Sequence, residues 1–324
     1  MGSARLLDER ITLKHGAGGG AMRALIEQVF VRGIGAVGGV GEGGVGLEAM
    51  DDGAALRHGD RYLVVTTDSH VVQPIAFPGG DIGRLAVCGT VNDLAMMGAT
   101  EPLALSCAAI IEDGFARDVL AQIWDSIRLA CEEAGTTIVT GDTKVMGHGE
   151  LDGLILNTTG LGWTDRVIRD AGLRPGDQIL VTGTVGDHGL AVMATRNELA
   201  LETTLASDVA PLNGLVRRAL TAGGEGVVAL KDPTRGGLSS TLHEMAEKSG
   251  VGIVLDERAI PMRDEVRAVG ELLGIDPLLV ANEGKAVFGV RPEAANDVLE
   301  AIRSDPRGRE AALIGECVAE RPGF

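Results

Sequence analysis

Aromatic side chains are scarce in this chain of 324 residues, which holds two Trp, one Tyr and five Phe. That scarcity argues against base-stacking platforms of the single-strand-binding kind and leaves small aliphatics to fill the core. Basic residues are also in deficit, 29 against 46 acidic ones, for a formal charge of −17. Such a balance opposes nonspecific association with nucleic acid or an anionic membrane, so neither is expected as a partner. The four cysteines, Cys88, Cys107, Cys131 and Cys317, form no C-x-x-C pair, which argues against a zinc ribbon or a thioredoxin-like motif. Buried thiols are expected. No apolar run reaches the roughly 18 to 20 residues that span a bilayer, and residues 1–10 lack a signal-type apolar stretch. A cytoplasmic location is the expectation.

Small residues dominate what is present. Apolar residues make up 45% of the chain and glycine occupies 48 positions. Such a chain can bury a large core, and its length suits roughly two domains of about 150 residues each. A helix is expected to open near Gly20, with Met22, Leu25, Ile26 and Val29 on one face. The stretch from Gly33 to Gly46, GIGAVGGVGEGGVG, has almost nothing to pack and reads as a mobile surface loop. It lacks the Lys-Ser or Lys-Thr of a G-x-x-x-x-G-K-[ST] phosphate loop. Residues 61–67, 136–140 and 227–230 read as strands that run into aspartates, with helices over 81–97 and 115–133 between them. Asp81 is the expected N-cap of the first helix and Gly98 its stop. After Arg169 the pattern restarts, with strands near 178–182, Ile253 and Val287. Helices are expected near Asp187, 212–220, 238–248, 263–273 and 292–303. The alternation indicates an α/β (α+β) chain of two domains, 1–168 and 169–324.

Five aspartates stand in short turns marked by glycine, threonine or asparagine. They are Asp52 in DDGA, Asp68 in TTD, Asp93 in VNDL, Asp142 in TGDTK and Asp232 in KDPTRGG. A polyphosphate carried on hard divalent cations needs oxygen ligands from separate strands, because Mg²⁺ takes carboxylate oxygens and completes its shell with water and phosphate. The recurrence therefore suggests a metal–nucleotide site, although each acid has an ordinary reading when taken alone. Asp93 faces small and apolar residues at helical spacing, where a carboxylate is costly unless paired or metal-bound, or else it is an exposed helix acid. Asp52, Asp68 and Asp142 also suit plain turns. Asp232 precedes a Thr-Arg-Gly-Gly turn that opens the helix from Leu238, whose amides suit an anion. In His15-Gly16-Ala17-Gly18-Gly19-Gly20, glycines let backbone amides approach phosphate oxygens, or form a flexible lead-in. Lys144 offers a cation near a transferring phosphoryl group or is simply solvated. Glu283 is a general base or a loop acid. Asp187 reads as an N-cap and His188 as a surface histidine.

In register along residues 13–320 stand HGAGG, DDGA, TTDS, FPGGDIGRLAVCGTVNDLAMMGA, IVTGDTKV, TGTVGDHG, APLNGL, DPTRGGL and ANEGK. This order resembles the hydrogenase maturation HypE family, within the PurM-like superfamily of aminoimidazole ribonucleotide synthetase, thiamine-monophosphate kinase and selenophosphate synthetase. The resemblance implies a two-domain fold whose N-terminal domain has a mixed sheet that completes a β-barrel in a homodimer, followed by an α/β C-terminal domain. It implies ATP and Mg²⁺ as cofactors, with Asp52, Asp68, Asp93, Asp142 and Asp232 around the metal. His15, Gly16, Gly18, Gly19, Thr67, Asp68, Asn92, Gly141 and Thr143 are the nucleotide candidates, and Lys144 and Glu283 the catalytic ones. The implied reaction is ATP-dependent dehydration of an S-carbamoyl cysteine to a thiocyanate, the source of the cyanide ligand of [NiFe]-hydrogenase iron. The implied partners are the carbamoyltransferase HypF and an iron-carrying HypC–HypD complex.

HypE proteins end in a tail whose last residue is the acceptor cysteine, in a Pro-Arg-x-Cys pattern, whereas this sequence ends in Glu320-Arg321-Pro322-Gly323-Phe324. The expectation is a truncated or tail-less form that binds ATP and dimerises without completing cyanation. Cys317 follows a strand-like segment and is a poor substitute for the acceptor. A small-molecule kinase or synthetase of the same superfamily and a non-catalytic ATP-binding scaffold are the alternatives. Selenide is disfavoured because the glycine-rich N-terminal stretch has no Cys or Lys.

Overall fold

In the computed structural model, which describes residues 8–34, 40–197 and 204–323, the first helical segment begins as α1 (Gly19–Leu25). A wider π-helical stretch (Ile26–Val31) and a last turn, α2 (Arg32–Ile34), complete it. The expected apolar face is there, but no residue on it is fully buried and Val29 stays 46% exposed. Of the glycine-rich stretch expected to be mobile, residues 35–39 lie outside the described residues. Its far end is held in place. Val45 bridges Ala55, and a side chain at Gly44 would meet the backbone of Val40 and Ala55.

The first half continues through β1 (Ala54–His58), β2 (Arg61–His70), a short hairpin of β3 (Ala76–Phe77) and β4 (Gly80–Asp81), and α3 (Ile82–Met96). It closes with β5 (Pro102–Glu112), α4 (Arg117–Ala134), β6 (Ile138–Met146) and β7 (Leu154–Thr164). The sheet order is β1-β2-β7-β5-β6; β5 and β6 run parallel and the other neighbours antiparallel, so the sheet is mixed. Asp81 caps α3, its Oδ1 accepting from Arg84 N, and Gly98 at φ +88° lets the chain leave the helix. Two expected strands prove longer. β2 carries through Asp68 to His70, and β6 runs on through Asp142 and Lys144. Cross-strand pairing overrides the local turn preference of TGD, and Gly141 makes it feasible because a Cβ there would fall 2.1 Å from Cys107 O on β5. Among the described residues the sheet stays open, so the expected barrel does not close within one chain.

The second half follows as β8 (Gln178–Val181), α5 (Asp187–Arg196), α6 (Asn213–Gly223), β9 (Val227–Lys231), α7 (Gly237–Ser249) and β10 (Gly252–Leu255). Then come α8 (Asp264–Leu273), β11 (Val287–Val290), α9 (Ala295–Arg303) and β12 (Ala312–Val318). Its sheet, β10-β12-β8-β11-β9, is antiparallel throughout. Strand side chains alternate between faces. Leu180, Leu230 and Phe288 pack with Leu215, Val216 and Ala219 of α6 and Val298 and Ile302 of α9. Ile179, Val181, Ala229 and Val287 pack with Leu238, Leu242 and Met245 of α7 on the other side. Each such aliphatic contributes about 1.5–3 kcal/mol on burial. Ala95 and Met96 of α3 join the α6–α9 core, so the two halves share packing along their junction. All four cysteines are free and buried, as expected; Cys317 lies within β12, and burial pushes its thiol up to about 12. No helix among the described residues is long and apolar enough to cross a membrane.

Candidate active site

The acid-bearing segments meet at this junction. Asp52 lies just ahead of β1, Asp68 on β2, Asp93 on α3, Asp232 directly after β9 and Glu283 in the approach to β11. All five line one cavity of roughly 520 Å³, a size typical of small-molecule sites. Thr66 and Asp68 are two apart on one strand and so face the same side. The Thr66 hydroxyl stands 2.9 Å from both the Asp52 carbonyl oxygen and Asp93 Oδ2, which ties the entry to β1 onto α3. Gly89, one turn before Asp93, gives His70 room, since a Cβ there would sit 2.9 Å from its ring. His70 Nε2 lies 3.2 Å from Thr158 Oγ1 and 3.6 Å from Asp68 Oδ2, and burial lowers its basicity.

The carboxyls act on one another. Burial, then Asp232, Asp52 and Asp68, push Asp93 well above the ordinary carboxylate range. Burial and then Asp52 do the same to Asp232 against the pull of Lys231. Glu283 is raised by burial and then by Asp232, Asp208 and Asp68. Such a surface repels a bare triphosphate and suits one that brings divalent cations. Among the described residues no group of three or more His, Cys, Asp or Glu is gathered tightly enough to hold a metal ion by itself. The expected metal set is therefore not a closed chelate. The donor chemistry still fits Mg²⁺ arriving on phosphates, because that ion usually takes only one or two carboxylates and completes its shell with phosphate and water oxygens.

Behind the acids lies a buried ionic network that the sequence reading did not anticipate. Lys231 Nζ stands 2.8 Å from Asp52 Oδ1 and 3.0 Å from Asp170 Oδ2. Lys248 Nζ stands 2.6 Å from Asp170 Oδ2 and 3.0 Å from Asp51 Oδ1, and Arg169 Nε 2.8 Å from Asp51 Oδ2. Burial and the adjoining Asp170 push Asp51 up to about 6, whereas Asp170, despite its own burial, is pulled down by the hydrogen bond from Asp51 and by both lysines. Of the two carboxyls, Asp51 is therefore the one whose proton affinity the network raises.

The remaining expected residues divide. Gly18, Gly19 and Thr67 line the cavity; Gly18, at φ +84°, passes so close to Arg235 that a Cβ would sit 3.0 Å from its backbone. His15 and Gly16 stay off the wall, and His15 Nδ1 accepts from Thr12 N at 3.0 Å. Asn92 is also spent elsewhere: Oδ1 accepts from Leu212 N at 2.7 Å, and Nδ2 donates to Ala210 O and Glu283 O, fastening α3 to the second half. Gly141, Asp142, Thr143 and Lys144 are exposed on β6 and do not reach the cavity of their own chain. Their strand is the outer member of the sheet, three ladder spacings or about 14 Å from β2. Lys144 Nζ donates to Asp142 Oδ2 at 2.7 Å there.

Two readings around α5 need correction. Gly186, not Asp187, is the N-cap of α5, and buried Asp187 accepts from Thr184 Oγ1. His188 is not a surface residue; it is 7% exposed and contributes to the cavity wall. Two signals for the missed residues were present, namely His70 two positions after Asp68 at strand period and Lys231 next to Asp232. His188 is placed by tertiary packing alone.

The two α/β halves that meet at this acidic cavity correspond to the two domains of the AIR synthase related proteins. The N-terminal domain of that family matches residues 50–164 and its C-terminal domain residues 174–323. A carbamoyl dehydratase HypE of Rhizobium leguminosarum bv. viciae is 48% identical over 313 residues, covering 96% of this chain and 87% of that protein. A solved HypE–HypF complex contains a chain 44% identical, with TM-score 0.84 over 92% of this chain and 94% of that one. A hydrogenase maturation protein HypE solved in complex with ATP is 41% identical, with TM-score 0.79 over 97% of this chain and 93% of its own. The chain belongs to the carbamoyl dehydratase HypE family, with its two-domain PurM-like α/β fold and mixed sheet.

Proposed function

We propose that this protein uses ATP to dehydrate an S-carbamoyl cysteine to a thiocyanate, supplying the cyanide ligand for [NiFe]-hydrogenase iron. The observation that carries this reading is the convergence of Asp52, Asp68, Asp93, Asp232 and Glu283, from both halves of the chain, on one cavity. Amide oxygen is a poor leaving group, and transfer of the γ-phosphoryl group onto it makes a good one. Loss of phosphate with both nitrogen protons then leaves the nitrile. Glu283, half-buried and raised in basicity, is suited to take a nitrogen proton. Mg²⁺ on the triphosphate would offset the charge that grows during transfer. Asp52, Asp68, Asp93 and Asp232 would hold it, and Gly18, Gly19 and Thr67 would border the nucleotide.

Lys144 and Asp142 enter this reading through a homodimer. β6 is an edge strand whose side chains beyond Ile138 are all exposed, with Val139 63% and Val145 67% open. Such an edge is a template for pairing with another strand. Pairing with a second copy would complete the barrel and carry Lys144, Asp142, Gly141 and Thr143 toward the partner's cavity. We place the domain boundary at 168/169 and the protein in the cytoplasm, with HypF as carbamoyl donor and a HypC–HypD complex as acceptor.

The test supplies ATP, Mg²⁺ and an S-carbamoylated cysteine peptide, with mass spectrometry as the readout. Loss of one water's mass, dependent on ATP, is the expected result. Intact carbamoyl peptide, with phosphorylation of a free metabolite instead, would replace this reading with the kinase alternative. The dimer is tested by mixing two inactive variants, Asp93→Asn and Lys144→Ala. Activity returning to as much as about a quarter of wild type is expected, since pairing puts an intact set from each chain in some sites. No recovery in a mixture that exchanges subunits would reject the shared site.

A further inference from the structure

The geometry points to His188 as the residue that orients the reacting carbonyl, donating a hydrogen bond from Nε2 to the carbamoyl oxygen in the cavity that Glu283 also lines. This inference rests on the function proposed above and adds to it a residue that contacts substrate.

His188 is held on two sides. Its Nδ1 lies 2.8 Å from Ser207 Oγ, and its ring meets Phe77 edge-on at 5.4 Å and 89°. Ser207 is itself fixed, its N donating to Pro78 O at 2.8 Å and its Oγ accepting from Val209 N at 3.1 Å. With Val209 N donating to Ser207 Oγ, the Ser207 hydroxyl on this proposal donates to His188 Nδ1, which assigns the imidazole proton to Nε2. No hydrogen bond among the described residues engages Nε2, and the ring borders the cavity. The approach of the two halves is tight here. A Cβ at Gly79 would fall 2.6 Å from Ser207 O, and one at Gly80 would fall 2.7 Å from Val209.

One dipeptide anchors both His188 and Glu283. Ser207 holds the imidazole, while Asp208 Oδ1 accepts from Glu283 N at 3.0 Å and Asp208 Oδ2 pairs with Lys285 Nζ at 3.0 Å. A neutral donor and a carboxyl base are thereby set on the same cavity from consecutive residues. Burial lowers the basicity of His188, which keeps the ring neutral. A neutral imidazole N–H suits a carbonyl oxygen that must later receive a phosphoryl group, because it binds the oxygen without protonating it. No bond forms or breaks at His188; the proton of Nε2 stays on the ring.

The test uses the full chain with ATP, Mg²⁺ and the S-carbamoylated cysteine peptide, comparing wild type with His188→Ala, His188→Gln and Ser207→Ala. His188→Ala should slow nitrile formation by roughly 10²-fold, the order seen when one positioned donor is removed. ATP affinity by calorimetry should stay within about threefold of wild type, a change below 1 kcal/mol. His188→Gln, whose amide can reach the same oxygen, should recover much of the rate, and Ser207→Ala should fall between. A rate within twofold of wild type in His188→Ala overturns the proposal. So does His188→Gln performing no better than His188→Ala, or a rate loss matched by lost ATP affinity. If His188→Ala fails to fold, Ser207→Ala decides, and an unchanged rate there overturns it. If wild type forms no nitrile, the function falls separately, and imidazole nitrogen NMR decides this point. A protonated Nε2 that shifts on addition of carbamoyl peptide supports the contact, and an unmoved resonance overturns it.

Discussion

Two lysine–aspartate pairs of nearly equal length sit in opposite settings. Lys231 Nζ and Asp52 Oδ1 are 2.8 Å apart with side chains 11% and 12% exposed, whereas Lys144 Nζ and Asp142 Oδ2 are 2.7 Å apart with side chains 68% and 62% exposed. The buried pair is one link in a chain of charges that crosses from Asp51 and Asp52 to Asp170, Lys231 and Lys248. The open pair stands on an edge strand, where water and salt screen it. Distance alone does not separate a structural clasp from side chains left free for another task. Environment does, and the acids of the cavity belong with the first region while those of β6 belong with the second.

Removing carboxylates from each region should give the largest contrast. If the cavity acids hold the Mg²⁺ of a triphosphate as proposed, Asp93→Asn or Asp232→Asn removes a ligand, and affinity for ATP in the presence of Mg²⁺ should drop by about 10²-fold. Lys144→Ala should leave that affinity within a few-fold of wild type and depress turnover instead. Isothermal titration of each variant, paired with nitrile formation, checks both halves of the statement. Equal losses of affinity in the two regions would erase the distinction.

Stability gives the next contrast. Lys231→Met leaves Asp52 and the almost fully buried Asp170 short of a counter-charge, and breaking a buried pair in this way costs about 3 kcal/mol. The urea midpoint should fall accordingly. Lys144→Met, on the open strand, should leave the midpoint where it was. A midpoint unmoved by Lys231→Met would mean that Lys248 alone satisfies Asp170.

The parts of this arrangement legible in the sequence were those written in local chemistry. Asp81 and Gly98 bound α3 because capping and a positive φ are local requirements, and β9 leads straight into Asp232 as its apolar run indicates. The central strands β5 and β7 were hidden. PLALSCAAIIE is an apolar run of small residues without alternation, and LILNTTGLGWT carries turn residues in its middle; only pairing on both sides makes them strands. The same limit governs the site. Turn chemistry marks the acids, but Asp68 and Asp142 lie inside strands, and whether a strand faces a cavity or solvent depends on its place in the sheet. Lys231 is flagged by its neighbour Asp232 but its partner Asp52 lies 179 positions away, and His188 takes its role from a residue 19 positions away, which no local pattern names.

The smallest effect is the dependence on pH, and it sharpens the division between cavity and edge. Burial, then Asp232, Asp208 and Asp68, raise the Glu283 carboxyl well above its ordinary value, with Arg235 opposing. A base must be ionised to accept a proton, so nitrile formation should be lost as pH falls through this raised value, about tenfold per pH unit below it. The sign for stability is the reverse. Between the ordinary and the raised value the folded protein binds a proton that the unfolded chain has released, so this contribution is present at lower pH and declines as pH rises through that window. Asp142 titrates the other way, since hydrogen bonding from Lys144 lowers it, and it should stay ionised throughout. A rate profile measured from pH 5 to 9 should therefore show an acidic limb above the ordinary glutamate range, near pH 4.3. The limb should vanish in Glu283→Gln along with most of the rate and survive in Asp142→Asn. A limb that persists in Glu283→Gln would assign the proton to another group.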